Sequence, residues 1–324
     1  MNRLNSVMNG LRKHVMEIIL ILVMIGIAVL ADGFLSSGNL LNVMRNMSIK
    51  GVIAFGMTMV IICGEIDLSI SSTVALSGII VAKVAKAFAD AGQAATSGVW
   101  LGILLALLVA ALAGSVNGIF RTKFRIPTFI VTLAMMYILY GISAIITGGF
   151  PIIGFPEWYN EIGSGELAFI PIPAIILLVV FAISYVVMNK MKFGRAIYAV
   201  GGNAESARLA GISVSRVKIS VMVICQITAA LAGIMTASQS MSANFSFGKG
   251  WEMDVIASVI IGGTSMNGGI GKVWGTFLGL VFLGILNNGM TLLNVNDYVQ
   301  YVVKGCLILF AVLVNNLQHR SQEG

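Results

Sequence analysis

Charged and catalytic side chains are scarce in this sequence of 324 residues. Only 10% of the residues are charged, against about 25% in a typical soluble domain, and 58% are hydrophobic. The two histidines, His14 and His319, stand near opposite ends, and the three cysteines lie singly inside apolar runs. Neither a metal site nor a Ser-His-Asp catalytic set can be drawn from so few candidates. The composition therefore excludes a soluble enzyme and indicates an integral membrane protein without cofactor, metal or catalytic residues.

A nucleotide-binding loop is also missing. The stretch GGIGKV at 268–273 contains a Gly-Lys pair, but the pattern G-x-x-x-x-G-K-[ST] requires glycine where Met266 stands and a hydroxyl residue where Val273 stands. We therefore do not expect this chain to hydrolyse ATP itself. The net charge of +7 resides mainly in short loops between apolar runs, as the positive-inside rule produces, so we expect no nucleic-acid partner.

What the sequence has in abundance is long apolar runs. A helix needs about 20 mostly apolar residues to cross the hydrocarbon core, and comparable runs recur along the whole chain. They lie at 15–31, 40–63, 68–88, 99–120, 126–147, 172–188, 217–237, 255–263, 273–290 and 298–314. The pattern predicts an all-α polytopic membrane protein, a single transmembrane domain over residues 1–324 with about ten transmembrane helices.

The charges between the runs predict the orientation. Lys and Arg collect in both terminal segments and in every second loop, including the long loop 190–216, whereas Asp and Glu collect mainly on the opposite side. Both termini and the loop 190–216 are therefore expected in the cytoplasm. Arg45 and Lys50 lie inside the second run, which we expect to be broken or to begin in a water-lined or protein-buried place.

Two runs are interrupted by residues that do not suit a straight transmembrane helix. The segment GEIDLS at 64–69 inserts Glu65 and Asp67, and GGTSMNGGIG at 262–271 contains five glycines, each costing about 1 kcal/mol in a helix relative to alanine. Non-helical backbone at membrane depth survives only where protein or water covers it, so we expect both breaks to line the translocation pathway or one of its ends.

An internal echo links two acidic segments. WEMDVI at 251–256 resembles GEIDLS at 64–69 and follows it after five spans, an odd number, as in an inverted repeat. The alternative is that both pairs of acids open helices, where the helix dipole favours carboxylates. The two interpretations are compatible.

The longest polar stretch, residues 190–218, carries six cations against one carboxylate, Glu205. Asn203 has the character of an N-cap, and Gly211 suits the position that follows a helix. We therefore predict a short helix over 204–210. So short a helix is marginal in water and needs something to dock against.

Small residues favour docking of this helix on a partner, after a tight turn at Gly201 and Gly202. One face of the helix is formed by Ala204, Ala207, Arg208 and Gly211. The alternative is a solvated connector between two spans.

Four polar residues inside apolar runs are candidates for the translocation pathway, beside Glu65 and Asp67. They are Thr58, Asn117, Asn287 and Asn288. For any one of them the alternative is a hydrogen bond between helices, typically worth about 0.6 kcal/mol.

Four groups of motifs, in chain order, carry a resemblance to a known family. They are GMTMVI at 56–61 with IDLS at 66–69; GR at 194–195 with AVGGNAESARLAGI at 199–212; ExDxIA at 252–257 with GGTS at 262–265 and GG at 268–269; and NNG at 287–289 with KG at 304–305. Through them the chain resembles the permease subunits of bacterial ABC importers of the ribose, galactose and autoinducer-2 class. The motifs cover most of the chain.

The resemblance implies a multi-pass protein of the bacterial inner membrane that moves a monosaccharide or similar polyol into the cytoplasm. It implies a second permease subunit as in a homodimer, a cytoplasmic ATP-binding subunit, a periplasmic solute-binding protein and membrane lipid as partners. It also implies that residues 201–211 carry the helix that couples to the ATPase. The residues concerned are Gly201, Gly202, Asn203, Glu205, Ala207, Arg208 and Gly211.

The sequence departs from the family pattern at Glu65 and Ser71. The extra carboxylate of Glu65 suggests a pairing with Arg45 or Lys50, or a contact with a hydroxylated substrate.

Two other functions stay open at this point. One is an ABC permease for branched-chain amino acids or nucleosides. The other is a transporter driven by an ion gradient, for which Glu65 and Asp67 are the only candidate ion ligands.

Overall fold

The computed structural model describes residues 15–323 and consists almost entirely of helices. The α-helices are α1 Val15–Leu30, α2 Ser37–Ile62, α3 Ile70–Asp90, α4 Ala95–Lys123, α5 Thr128–Thr147, α6 Asn160–Ser164, α7 Ile172–Lys190, α8 Lys192–Gly202, α9 Ala204–Leu209, α10 Val214–Ser240, α11 Trp251–Ile261, α12 Val273–Leu292 and α13 Asp297–Glu323. Each of the ten apolar runs falls on one of them, so the predicted all-α polytopic fold is confirmed. The N-terminal cations Arg3, Arg12 and Lys13 lie outside the described residues.

Extended structure among the described residues is limited to two short antiparallel pairs. Strand β1 Ile152–Ile153 pairs with β4 Ser242–Ala243, and β2 Glu166–Leu167 pairs with β3 Ile170–Pro171. A 3-10 turn covers Glu157–Tyr159. Because α7 and α10 run the length of the molecule in opposite directions, these strands lie at the end opposite to α8 and α9.

Within residues 15–323, seven helices are long and apolar enough to cross a membrane: α2, α3, α4, α5, α7, α10 and α12. Helix α1 is apolar but has 16 residues. Helix α11 has 11 residues, so at 1.5 Å per residue it covers about half of a span. With the non-helical segment 262–272 that follows, it forms the discontinuous element that the glycine cluster predicted.

The core forms around α2 and α10. Of the most apolar stretch of α2, 78% is buried, against 22% for α5. Helix α4 approaches α10 closely, because a Cβ added at Gly114 or Gly118 would come within 2.7 Å of α10 backbone atoms. Small residues at such crossings let helices pack where the lipid offers no hydrophobic driving force.

Helix α2 is continuous, so of the two alternatives for the second run the break is wrong. The other alternative, a start that is covered by protein, fits the pairing of its two cations. The Arg45 guanidinium lies 2.9 Å from Glu166, and the Lys50 ammonium lies 2.5 Å from Asp254 and 5.4 Å from the centre of the Trp251 ring. Ion pairing with neighbouring elements removes the cost that would otherwise interrupt the helix.

Both predicted breaks are present, over 63–69 and 262–272, and they meet. The Gly269 N–H donates a hydrogen bond of 2.8 Å to the Ile62 carbonyl at the end of α2. The Tyr198 hydroxyl of α8 donates to the Gly271 carbonyl at 2.9 Å. The breaks and the polar helices α8 and α9 therefore share one end of the molecule.

The two acidic segments of the internal echo differ in local structure. Asp67 lies in the non-helical segment before α3 and accepts from the Ser69 N–H at 2.9 Å, whereas Glu252 and Asp254 lie in the first turn of α11. The helix-start interpretation therefore holds for Glu252 and Asp254 and is wrong for Asp67. The inverted repeat stays a prediction.

Candidate functional site: a capped surface helix and a polar cavity

The short helix predicted in the polar stretch is confirmed as α9, which ends at Leu209. The Asn203 side chain accepts from the Ser206 N–H at 2.9 Å, as an N-cap does. Gly211 adopts φ +83°, a left-handed conformation that costs glycine little and that follows many helix ends. The Asn203 cap and the left-handed Gly211 thus explain where this short helix begins and ends.

The tight turn predicted at Gly201 and Gly202 is wrong. Helix α8 continues through both glycines, and Asn203 is at once the C-cap of α8 and the N-cap of α9. Gly201 serves a different purpose, because a Cβ there would overlap the carbonyl oxygen of Ile62. The glycine permits α8 to touch the end of α2.

The face of α9 that was expected to receive a partner is divided between interior and surface. Ala207 is buried in the core and Ala204 is half-buried, whereas Arg208 and Gly211 of the same face are exposed. Glu205 and Leu209 are exposed beside Arg208, and Leu209 is 78% exposed. The correction follows from the size of alanine, which lets α9 lie close against its own protein. A partner would meet the charged and leucine face.

Glu205 and Arg208 form a bidentate pair on that exposed face. Arg208 donates through Nε at 3.1 Å and through Nη2 at 2.6 Å. The hydrogen bonds from Arg208, and then its charge, lower the pKa of the Glu205 carboxyl. Both side chains are therefore held in one geometry and stay charged near neutral pH.

Glu65 pairs with neither Arg45 nor Lys50, so that expectation is wrong. Its buried carboxylate accepts from Arg121 Nε at 2.8 and 2.9 Å, from Lys218 Nζ and from the Thr128 hydroxyl. The helix ends of α4, α5 and α10 are thereby tied to the first break.

The polar candidates Asp67 and Asn117 belong to a buried network. Gln226 Nε2 donates to Asp67 at 2.8 Å and to Ser69 Oγ at 2.7 Å, and Asn117 Nδ2 donates to Ser69 Oγ at 3.0 Å. The network joins α10 and α4 to the first break. Such contacts fit the alternative of hydrogen bonds between helices.

Thr58 fits the same alternative. It is fully buried, and its hydroxyl shares a 2.7 Å hydrogen bond with Thr276 of α12.

The remaining two candidates, Asn287 and Asn288, line a cavity of about 230 Å³ between α2, α11 and α12. The other polar residues of its wall are Asn46, Lys50, Asp254, Ser258 and Thr291. Residues 43, 46, 47 and 50 of α2 share one helical face, as i, i+3, i+4 and i+7 positions do. The structure thus brings two of the six candidates to one cavity and distributes the other four among interhelical contacts.

Sequence reasoning missed the cavity residues Lys50, Asp254 and Asn46 as pathway candidates. A charged residue inside an apolar run was the available signal, since such residues usually mark a functional site. Lys50 is such a charged residue, but its position in the sequence does not reveal which residue pairs with it. Only the fold shows that Asp254, 204 positions away, supplies it.

Comparison with known proteins places the chain among transport proteins. A family model described as "Branched-chain amino acid transport system / permease component" matches residues 39–312. The chain belongs to this permease family. The permease is 41% identical over 298 residues to the ribose import permease protein RbsC of Bacillus subtilis (strain 168), covering 91% of this chain and 90% of that protein.

Two further relatives of the permease span nearly the same length. RbsC of Escherichia coli (strain K12) is 38% identical, covering 93% of this chain and 92% of that one. The L-arabinose transport system permease protein AraH of the same strain is 34% identical, covering 96% and 92%. No solved structure matches the permease.

The comparisons confirm the resemblance derived from the sequence motifs. The permease is a multi-pass inner-membrane subunit of an ABC importer. Its family implies an ATPase subunit and a solute-binding protein as partners. An importer of this class uses ATP, which answers the ion-gradient alternative.

Proposed function

We propose that this permease moves a monosaccharide or a similar polyol into the cytoplasm, and that a separate subunit hydrolyses the ATP. The relatives named for ribose and L-arabinose support the cargo, since each covers more than nine-tenths of the chain. The absence of a phosphate-loop pattern supports a purely transporting role. The family description names branched-chain amino acids, so L-leucine is the competing cargo to test.

We propose that α9 couples transport to ATP hydrolysis, and the exposed face of this helix supports the proposal. A helix of six residues is marginal alone, yet α9 is held by the Asn203 cap and by the buried Ala207. These contacts fix α9 against the permease, so that Leu209 and the Glu205–Arg208 pair are held at the surface. An exposed leucine beside a fixed ion pair is the composition of a small docking surface, with an apolar centre and a polar rim.

The seven residues of the coupling segment divide into two groups. The exposed group comprises Gly202, Asn203, Glu205, Arg208 and Gly211, and we propose that it meets the ATPase. Gly201 and Ala207 face the interior and pack the segment against the rest of the permease. Leu209 joins the first group.

We propose that the end with α8 and α9 faces the cytoplasm, with residues 190–216 as the coupling region of a single permease domain and both termini on that side. The cations of the loop support this orientation. The opposite end, with the strands β1 to β4, then faces the solute-binding protein. Exposed apolar side chains on α4, α5 and α7, such as Leu112, Ile145 and Ile183, are covered by lipid and by a second copy in a homodimer.

The decisive experiment replaces Leu209 by aspartate in the purified permease. We expect Leu209→Asp to abolish co-purification of the ATPase subunit, because a charge replaces the apolar centre of the contact. Leu167→Asp is the matched control: Leu167 is 64% exposed, but it lies at the opposite end. Retention of the ATPase by the Leu209 variant would contradict the coupling role of α9.

Cargo is tested separately with the assembled importer in proteoliposomes. We expect ATP-dependent uptake of D-ribose or L-arabinose and none of L-leucine. Uptake of L-leucine with no sugar uptake would replace the proposed cargo by the competing one.

A further inference from the structure

The cavity between α2, α11 and α12 is built as a binding site. We propose that it holds one neutral sugar within a single protomer, and that Lys50, Asp254 and Asn287 contact the sugar hydroxyls. The inference takes the class of cargo from the proposed function, whereas the existence of the site rests on the geometry of the cavity.

The size of the cavity suits a small solute. Its volume of about 230 Å³ lies below the range of about 300–1,000 Å³ that is typical of sites for drug-sized ligands. Gly284 keeps the space narrow on one side, since a Cβ there would come within 3.0 Å of the Met47 Cβ. A large or extended solute is therefore excluded.

The charges on the wall favour a neutral solute. The lining contains one cation and one anion, Lys50 and Asp254, which pair at 2.5 Å. Lys304 of α13 approaches the second carboxylate oxygen at 3.3 Å. Asp254 therefore keeps a partner when Lys50 turns toward a solute. The lining residues themselves carry equal numbers of positive and negative charges.

The same residues offer free hydrogen-bonding capacity. An ammonium group has three donors and a carboxylate accepts through both oxygens, so Lys50 and Asp254 together match a pair of neighbouring hydroxyl groups. A hydroxyl both donates and accepts, so a single hydroxyl can bond Lys50 and Asp254 at once, whereas an ammonium can bond only Asp254 and a carboxylate only Lys50.

The two adjacent amide side chains of Asn287 and Asn288 differ in their hydrogen bonding. Asn288 exchanges two hydrogen bonds with Asn39, at 2.9 and 2.7 Å, so its role is to join α12 to α2. Asn287 Oδ1 is buried and has no hydrogen-bond partner within residues 15–323. Buried acceptors normally have a partner, and a solute hydroxyl in the cavity would supply the missing donor.

Protection from a thiol reagent tests occupancy directly. Asn287→Cys is made together with Cys306→Ser, because Cys306 is exposed while Cys63 and Cys225 are buried. Maleimide labelling of the assembled importer is then followed with increasing D-ribose. We expect labelling to slow with sugar concentration as mass action requires, and L-leucine to have no effect.

Transport variants test the role of Lys50. We expect Lys50→Met to lower the maximal rate of D-ribose import about 3- to 10-fold, as the loss of one solute hydrogen bond would. Combined with Asn287→Cys and Cys306→Ser, it should also raise the sugar concentration that protects the introduced thiol by a similar factor. Lys50→Arg, which keeps the charge, should restore both. Lys86→Met is the matched control, since Lys86 is 56% exposed in a surface pair with Asp90.

The outcomes separate this inference from the proposed function. If the wild-type importer takes up D-ribose while the sugar leaves labelling unchanged and Lys50→Met imports normally, the binding site is refuted and the sugar permease stands. If D-ribose protects the introduced thiol although the wild-type importer takes up only L-leucine, the site is supported and the proposed cargo fails.

Discussion

Glu65 permits a quantitative prediction about the stability of the end that carries α8 and α9. Its side chain is 3% exposed, and its carboxylate contacts Lys218 and Arg121, whose side chains are 13% and 30% exposed. Glu65→Gln keeps the shape of the side chain and removes its charge. Two cations then face a neutral amide in a place where water reaches only Arg121 freely.

The size of the effect follows from this burial. Removing one partner of a buried ion pair costs about 3–5 kcal/mol, because the other charge stays buried without compensation. The exposure of Arg121 lets water solvate part of that charge. We therefore expect Glu65→Gln to lower the free energy of unfolding by about 3 kcal/mol, near the lower limit of that range.

Reversible unfolding of the purified permease by SDS in mixed micelles measures this change. Glu205→Gln is the matched control, because it breaks an ion pair of similar geometry whose side chains are 65% and 67% exposed; no measurable change is expected there. The double variant Glu65→Gln, Lys218→Met should lose less than the sum of the two single losses, since the second change removes a cation that the first left unpaired. A loss below about 1 kcal/mol for Glu65→Gln would refute the reasoning, because it would place the group in the range of surface pairs.

Three further predictions concern single positions. Gly201→Ala should reduce the yield of monodisperse permease on size exclusion, because the added Cβ would overlap a carbonyl oxygen of α2. Gly202→Ala is the control, since its Cβ meets nothing within 4 Å, and equal yields of the two variants would contradict the packing at Gly201. Thr58→Val should cost about 0.6–1 kcal/mol in SDS unfolding and leave sugar uptake unchanged, so lost uptake at normal stability would return Thr58 to the pathway. Arg208 lowers the pKa of Glu205 from its ordinary value of 4.5, so the ion pair is intact above pH 4.5 and is lost only as the pH falls through the lowered pKa. ATPase co-purification should therefore be constant from pH 7 to about 5, and a decline within that interval would contradict the role of the pair.

The helices and the capped segment were accessible from sequence because their causes are local. Apolar length predicted all seven helices that are long enough to cross a membrane, and the Asn203 cap with Gly211 predicted α9 to within one residue. The direction in which α9 faces was not accessible, since it depends on Ala207 packing into a core assembled from distant helices. A small residue on a short helix looks the same whether it meets its own protein or a partner.

The charge partners were inaccessible for a related reason. Lys50 and Asp254 are separated by 204 positions, and Glu65 meets cations from α4 and α10 rather than those nearest in sequence. Sequence reveals that a buried charge needs a partner, but only the packing of helices decides which one lies within reach. The same limit applied to Thr58 and Asn117, whose polarity was visible and whose partners were not.

The junction of α8 with the two breaks has a mechanical consequence. Gly201 lies against the Ile62 carbonyl, and added Cβ atoms at Gly268 and Gly269 would come within 2.7 to 2.8 Å of the Gly201–Gly202 backbone. Side chains absorb small displacements by changing rotamer, but here main chain meets main chain and has no rotamers to change. We therefore expect a movement of α8 and α9 to displace both breaks. If α9 meets the ATPase as proposed, the stiffness of this joint sets how tightly one ATP cycle is matched to one transported solute, and a single added methyl group would alter it.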